Sequence, residues 1–215
     1  MSHPKAILFD WDNTLIDSWL VIHEALNFTF EAFDKPLWSI DETRTRVRKS
    51  LRDSFPGIFG DDWNKAADTF YGRFDDIHIK KLTPIEGVAE MLDELSGHGI
   101  YMGVVSNKRG EYLRRESTHL GWDRHFGKLV GALDAKTDKP SVLPVEMALS
   151  DSGIDANTDV LFVGDADIDM ECACNAGLTG VLLRREAPAP GEFADHPPVH
   201  HVADCRALCK LVKQL

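Results

Sequence analysis

Three short, almost wholly apolar runs punctuate the chain, and each stops at a polar residue. Lys5 to Asp10 (Lys-Ala-Ile-Leu-Phe-Asp) ends in a carboxylate, Ile100 to Ser106 (Ile-Tyr-Met-Gly-Val-Val-Ser) in a hydroxyl, and Val160 to Asp165 (Val-Leu-Phe-Val-Gly-Asp) in a second carboxylate. Apolar runs of this length without alternation read as strands buried on both faces. Weaker strands are expected at 128–132 and 179–183, with an edge strand at Val199 to Val202. Between the strands, apolar residues recur at three- and four-residue spacing, as in Val88, Met91, Leu92 and Leu95. They predict helices over 86–97, 109–119, 141–152, 167–176 and 204–214. Strands alternating with helices imply an α/β fold, a Rossmann-like three-layer core whose parallel sheet is covered on both faces. Ligands bind such sheets at the carboxyl ends of the strands. Asp10, Asp12, Ser106, Asn107 and Asp165 all fall there.

The stretch from Trp19 to Leu82 departs from the alternation. It predicts amphipathic helices over roughly 19–34, 41–53 and 61–80, broken by Lys35-Pro36 and by Phe55-Pro56-Gly57, with a dense set of aromatic residues. The bland expectation for those rings is a small helical core of their own. The chain is thus expected to divide into a core domain, residues 1–18 and 83–215, and a small all-α domain, residues 19–82, placed over the catalytic edge. Residues 184–201 form a Pro-rich loop.

Composition narrows the partners. A chain of 215 residues with 43% hydrophobic residues can bury a real core. Its net charge of -11 argues against a surface that neutralises nucleic-acid phosphates. A small anionic substrate then needs a metal or a local basic cluster. No run is long enough to cross a membrane, and the first residues carry no signal-peptide pattern. Cys172, Cys174, Cys205 and Cys209 have no metal-ligand spacing with histidine and are expected as reduced thiols of a cytoplasmic protein. His23, His78 and the group His196, His200 and His201 are expected on the surface or in loops.

The chemistry starts with Asp10 and Asp12. Two carboxylates at i,i+2 past a strand converge on one site if the chain turns, and Asn13 tolerates the backbone angles of such a turn. One carboxylate can attack phosphorus while the other protonates the leaving oxygen and later deprotonates water. By themselves, Ser106-Asn107 would as readily cap a helix, and Lys139 could be a solvated loop charge with Lys136 as its rival. Asp167 is expected to be exposed.

Four motifs in order give these residues a context: Phe9-Asp10-Trp11-Asp12-Asn13-Thr14-Leu15, Val104-Val105-Ser106-Asn107, Lys139-Pro140, and Val163-Gly164-Asp165-Ala166-Asp167-Ile168-Asp169. In these the chain resembles the haloacid dehalogenase-like hydrolase superfamily over residues 5–183, and among its members the phosphoglycolate phosphatases. The resemblance implies that Asp10 is nucleophile and metal ligand, and that Asp12 is acid/base with its carbonyl on the metal. It implies that Asp165 completes a Mg²⁺ site with Asp169 as ligand or support, and that Thr14, Ser106, Asn107 and Lys139 serve the phosphate. Residues 19–82 resemble the helical cap that relatives carry between their first two motifs.

Asp12 argues against dehalogenase and phosphonate-cleaving chemistry, whose enzymes lack that second acid. A phosphatase acting on a small phosphorylated metabolite is therefore favoured, as monomer or homodimer. A phosphomutase of the β-phosphoglucomutase type remains the rival enzyme, and a non-catalytic binding protein the third reading. Arg44, Arg48 and Arg52 would share one face of a helix over 41–53. Lys49 and Arg52 are expected to contact the leaving group.

Overall fold

The computed structural model describes residues 4–47 and 49–215. Six parallel strands form one sheet in the order β3-β2-β1-β4-β5-β6. They are β1 (Ala6–Phe9), β2 (Tyr101–Arg109), β3 (Lys128–Ala132), β4 (Val160–Gly164), β5 (Thr179–Leu183) and β6 (His200–Val202). β1 is central because all four of its residues are fully buried and none needs water. Its side chains alternate across the sheet. Ile7 and Phe9 join Met102, Val104 and Val163 against helices α5 (Val88–Gly97) and α9 (Cys205–Gln214), while Ala6 and Leu8 join Val105 and Phe162 against α7 (Leu143–Leu149) and α8 (Asp167–Asn175). The result is a three-layer α/β/α arrangement. α6 (Gly110–Leu120) follows β2 and packs against β3.

Four helices intervene between β1 and α5: α1 (Trp19–Ala32), α2 (Ile40–Arg46), α3 (Leu51–Phe59) and α4 (Trp63–Ile77). They gather their own cluster around Leu26, Phe30, Phe55, Phe59, Phe70 and Phe74, joined by Tyr112 of α6. The single helix expected over 41–53 is two helices. Val47 takes an extended conformation (φ -81°, ψ 101°), and Ser50 opens α3 with its hydroxyl on Asp53. The predicted row of arginines is broken by that joint, and Arg48 lies outside the described residues.

Pro56-Gly57, expected to end a helix, sits inside α3 instead. Proline sacrifices one helical hydrogen bond there. Phe55 and Phe59, one turn apart and both buried in the aromatic cluster, hold the helix through it. α3 ends at Gly60, whose φ of +57° suits a residue without Cβ.

Among the described residues no helix is long and apolar enough to cross a membrane, and the four cysteines are free.

Candidate active site

The carboxyl ends of β1, β2 and β4 deliver the chemistry. Asp10 follows β1 directly, its N–H donating to the Val163 carbonyl of β4 at 2.9 Å. The chain then turns back on itself: Asn13 adopts φ +64°, its N–H reaches the Ile16 carbonyl, and its side-chain oxygen accepts from Ser18 N–H. That turn brings Asp12 round to the same cavity as Asp10, as the tolerance of asparagine for the left-handed region allows.

Asp10 is almost completely buried, and Lys139 Nζ lies 2.8 Å from its Oδ1. The same ammonium reaches Asp169 Oδ1 at 2.7 Å. Lys136, its rival by sequence, is exposed. Burial pushes the Asp10 carboxyl up to about 6 against the opposing pull of Lys139, and the nearby Asp169 and Asp12 charges add to the rise. Burial also carries Asp165 well above the ordinary carboxylate range, with Asp169 and Asp10 repelling its charge. Lys139 is held well above its usual range because Asp10 and Asp169 outweigh its burial.

Oxygens of Asp10, Asp165 and Asp169 all lie within 4.8 Å of one another. Three carboxylates against one lysine leave two uncompensated charges, and the donors are hard oxygens, so the set fits one divalent cation of the magnesium type. Asp169 is the most committed of the three. Oδ1 takes Lys139, and Oδ2 accepts the N–H groups of Asp165 and Ala166 at 3.1 Å each. Gly164 makes that approach feasible, since a Cβ there would collide with the Asp169 carboxylate. Asp10 and Asp165 are therefore the better placed to meet a cation, and Asp169 holds the loop that presents Asp165.

Other expected residues take places of their own. Ser106 is buried, lines the cavity and accepts the Lys108 N–H on its hydroxyl. Asn107 grips the backbone of Lys139 at both ends: its oxygen accepts Lys139 N–H at 2.9 Å and its amide donates to Lys139 C=O at 3.2 Å. It therefore positions the lysine as well as lining the cavity. Thr14 is buried behind Asp165, to which its hydroxyl donates at 3.2 Å, and it does not line the cavity. Its contact is with Asp165, not with the open cavity. Trp11 turns away into the core, and Asp167 is exposed as expected.

Arg52 is also redirected. Its guanidinium forms two bonds to Asp138, 2.6 Å from Nε and 2.5 Å from Nη2, and it does not line the cavity. A bidentate pair to a carboxylate that is itself buried occupies the fork. Arg52 thus ties α3 to the residue next to Lys139. Lys49 does line the cavity, at its exposed margin.

A second buried cluster forms around Lys108 and Glu116, which escaped the sequence reading. Lys108 Nζ sits 2.5 Å from Asp12 Oδ1 and 3.0 Å from Glu116 Oε2. Glu116 also accepts from Trp11 Nε1 at 2.7 Å and pairs with His78 Nδ1 at 2.9 Å. His78 is completely buried, against the surface position expected of it. Burial alone would lower the Lys108 ammonium, but Asp12 and Glu116 raise it above its usual range. Burial pushes Glu116 up, and Lys108 with its hydrogen-bond donors more than reverses this. Ser18 Oγ also donates to Asp12 Oδ1, at 2.5 Å, so Oδ1 is doubly held while Oδ2 has no partner among the described residues. Signals for this cluster existed. Lys108 is two residues past Ser106 on one strand face, and His78 and Glu116 extend the buried stripes Phe70-Phe74 and Tyr112-Leu113.

Above these groups opens a cavity of about 180 Å³. Its far walls are Trp19, Ile22, Leu26, Leu51, Phe55, Ile58, Phe70, Tyr71 and Phe74 from α1, α3 and α4, Trp38 from the loop between α1 and α2, and Tyr112 from α6.

Known proteins resemble this chain along most of its length. A phosphoglycolate phosphatase of Xanthomonas campestris is 28% identical over 84% of this chain and 83% of its own. A 5'-nucleotidase of Pseudomonas aeruginosa is 26% identical over 96% of this chain and 95% of its own. A solved structure from Clostridium acetobutylicum, described as a predicted phosphatase, superposes over both chains in full with a TM-score of 0.87 at 21% identity, a likeness of fold. Residues 7–183 match the family described as haloacid dehalogenase-like hydrolase, and the chain belongs to that family.

Proposed function

We propose that this enzyme is a magnesium-dependent phosphatase, phosphoglycolate phosphatase-like in type, that hydrolyses a small phosphomonoester through an aspartyl-phosphate on Asp10. The observation that carries the reading is the pair of aspartates facing one cavity in unlike surroundings. Asp10 lies against Lys139 among carboxylates, whereas Asp12 has one oxygen fastened to Ser18 and Lys108 and the other open.

In the first half-reaction an Asp10 oxygen attacks phosphorus, the ester P–O bond breaks, and the leaving oxygen takes a proton from Asp12. In the second, water attacks the phosphorus of the acyl phosphate and gives its proton to Asp12, freeing phosphate and restoring Asp10. Ser106 donates to a phosphoryl oxygen, and Lys139 balances charge on nucleophile and phosphoryl group. Asp10 and Asp165, with Asp169 supporting and the Asp12 carbonyl as a further ligand, would hold the cation. When bound, magnesium supplies positive charge to the phosphoryl oxygens and relieves repulsion among the carboxylates.

Residues 19–82 act in this reading as a cap domain over the core formed by 1–18 and 83–215, shielding the acyl phosphate from bulk water. The relatives differ in the substrates their names carry, so the leaving group is the open variable. A phosphate-release screen with Mg²⁺ over small phosphomonoesters tests the reading. The wild type should turn over at least one ester, and Asp10→Asn should lose activity by about a thousandfold or more. Phosphate release undiminished in Asp10→Asn would sink the mechanism.

A further inference from the structure

We infer that the leaving group this cavity selects carries a single aromatic ring, and not a second anion such as a carboxylate or phosphate. The inference rests on the phosphatase reading and deepens it.

Charge is the first argument. A substrate with a second anion needs an unspent cation above the reacting phosphate, and every cation lining the cavity except Lys49 already has a partner. Arg46 pairs with Glu42 at 2.9 Å and lies over the Trp38 ring. Arg109 pairs with Glu111 at 3.1 Å and lies over Tyr71. Lys108 is bracketed by Asp12 and Glu116, and Arg52 is outside the cavity on Asp138. Lys49, for which the described residues supply no carboxylate, stands exposed at the margin, where water screens it. A second anion would exchange its hydration for ring faces and aliphatic side chains, an unfavourable transfer without a paired charge.

Shape and surface are the second. Trp19 opens α1 close behind Asp12 and Asn13, lines the cavity half-buried, and makes no ring contact among the described residues. Trp38 and Tyr71 also line the cavity, with Arg46 and Arg109 over their rings, and Ile22, Leu51 and Ile58 add aliphatic surface beside Trp19. Unstacked indole surface beside a reacting centre suits a ring offered edge-on or offset-parallel. The Tyr71 hydroxyl, without a hydrogen-bond partner among the described residues, can donate to a polar ring substituent; burial pushes its pKa up to about 12.

Three esters of primary alcohols separate the possibilities: benzyl phosphate, ethyl phosphate and 2-phosphoglycolate, assayed with the full chain and Mg²⁺. Benzyl phosphate should exceed both others in kcat/KM by about tenfold or more, the scale of burying one ring. Trp19→Leu should bring benzyl and ethyl phosphate within about threefold of each other, and Tyr71→Leu gives the same reading should the first variant fold poorly. Preference for 2-phosphoglycolate, or equal rates for all three, overturns the inference and leaves the phosphatase reading intact.

If no ester is turned over, binding decides. Benzylphosphonate quenching the tryptophan fluorescence of Asp10→Asn about tenfold more tightly than ethylphosphonate supports the ring pocket while the phosphatase reading falls. Equal affinity overturns the inference.

Discussion

The cavity has a floor and a roof built on opposite principles. On the floor, at the strand ends, charged side chains are buried and locked in alternation: Asp169, Lys139 and Asp10 on one side, Glu116, Lys108 and Asp12 on the other. Each lysine lies between two carboxylates, so neither stays a naked buried charge. On the roof, in α1 to α4, the surface facing the cavity is mostly rings and aliphatic chains, and its ion pairs sit largely at the margin or outside. Low dielectric and fixed partners make the floor a place where a small displacement costs much. The roof recognises by shape, and apolar contacts tolerate adjustment. In the proposed reading, reaction type belongs to the floor and choice of substrate to the roof.

That division is sharpened by perturbing each part. The largest effect should follow removal of the cation: chelating magnesium should reduce phosphate release by about a thousandfold or more, and adding it back should restore the rate. Next comes the floor's second lysine. Lys108→Met leaves Asp12 and Glu116 without their shared cation and Asp12 Oδ1 to Ser18 alone, and should lower kcat by about a hundredfold with a smaller change in KM. An effect of Lys108→Met confined to KM would place that lysine on the substrate side of the boundary.

Acid should come third. A carboxyl raised from 3.8 to about 6 is protonated as pH falls through that value, and a protonated Asp10 neither attacks phosphorus nor holds a cation. At low magnesium the acid limb of kcat/KM should therefore break near pH 6 and fall about tenfold per unit below it. Saturating magnesium, which favours the ionised form, should move the break downward. A limb near pH 4 at both metal levels would contradict the crowding of carboxylates.

The smallest effect belongs to the roof. Arg52→Ala frees α3 from Asp138 and should raise KM by less than about tenfold while kcat holds within a few-fold. A loss in kcat as large as that of Lys108→Met would show that Asp138 positions Lys139 through Arg52, and the boundary would have to be redrawn.

Much of the floor could be read before any fold was known, and the reason is local. Asp10, Ser106 and Asp165 each end an apolar run, and a parallel sheet must bring such ends to one edge. Asn13 announced the turn that folds Asp12 back. The second cluster was far harder to see, because Asp12, His78, Lys108 and Glu116 come from four separate segments, Lys108 meeting Asp12 across 96 residues and His78 meeting Glu116 across 38. Arg52 misled for a related reason: its partner Asp138 lies 86 residues away.

The residues by themselves determined the strand and helix alternation, the parallel sheet, and the polar groups that its strand ends bring together, since these follow from periodicity and from where apolar runs stop. Tertiary structure alone decided the break between α2 and α3, the persistence of α3 through Pro56, and the partner of every buried charge. It also decided which rings line the cavity and which only fill the helical core. Periodicity specifies a face of an element, but pairing energies depend on which faces meet, and that is set by packing across long sequence separations.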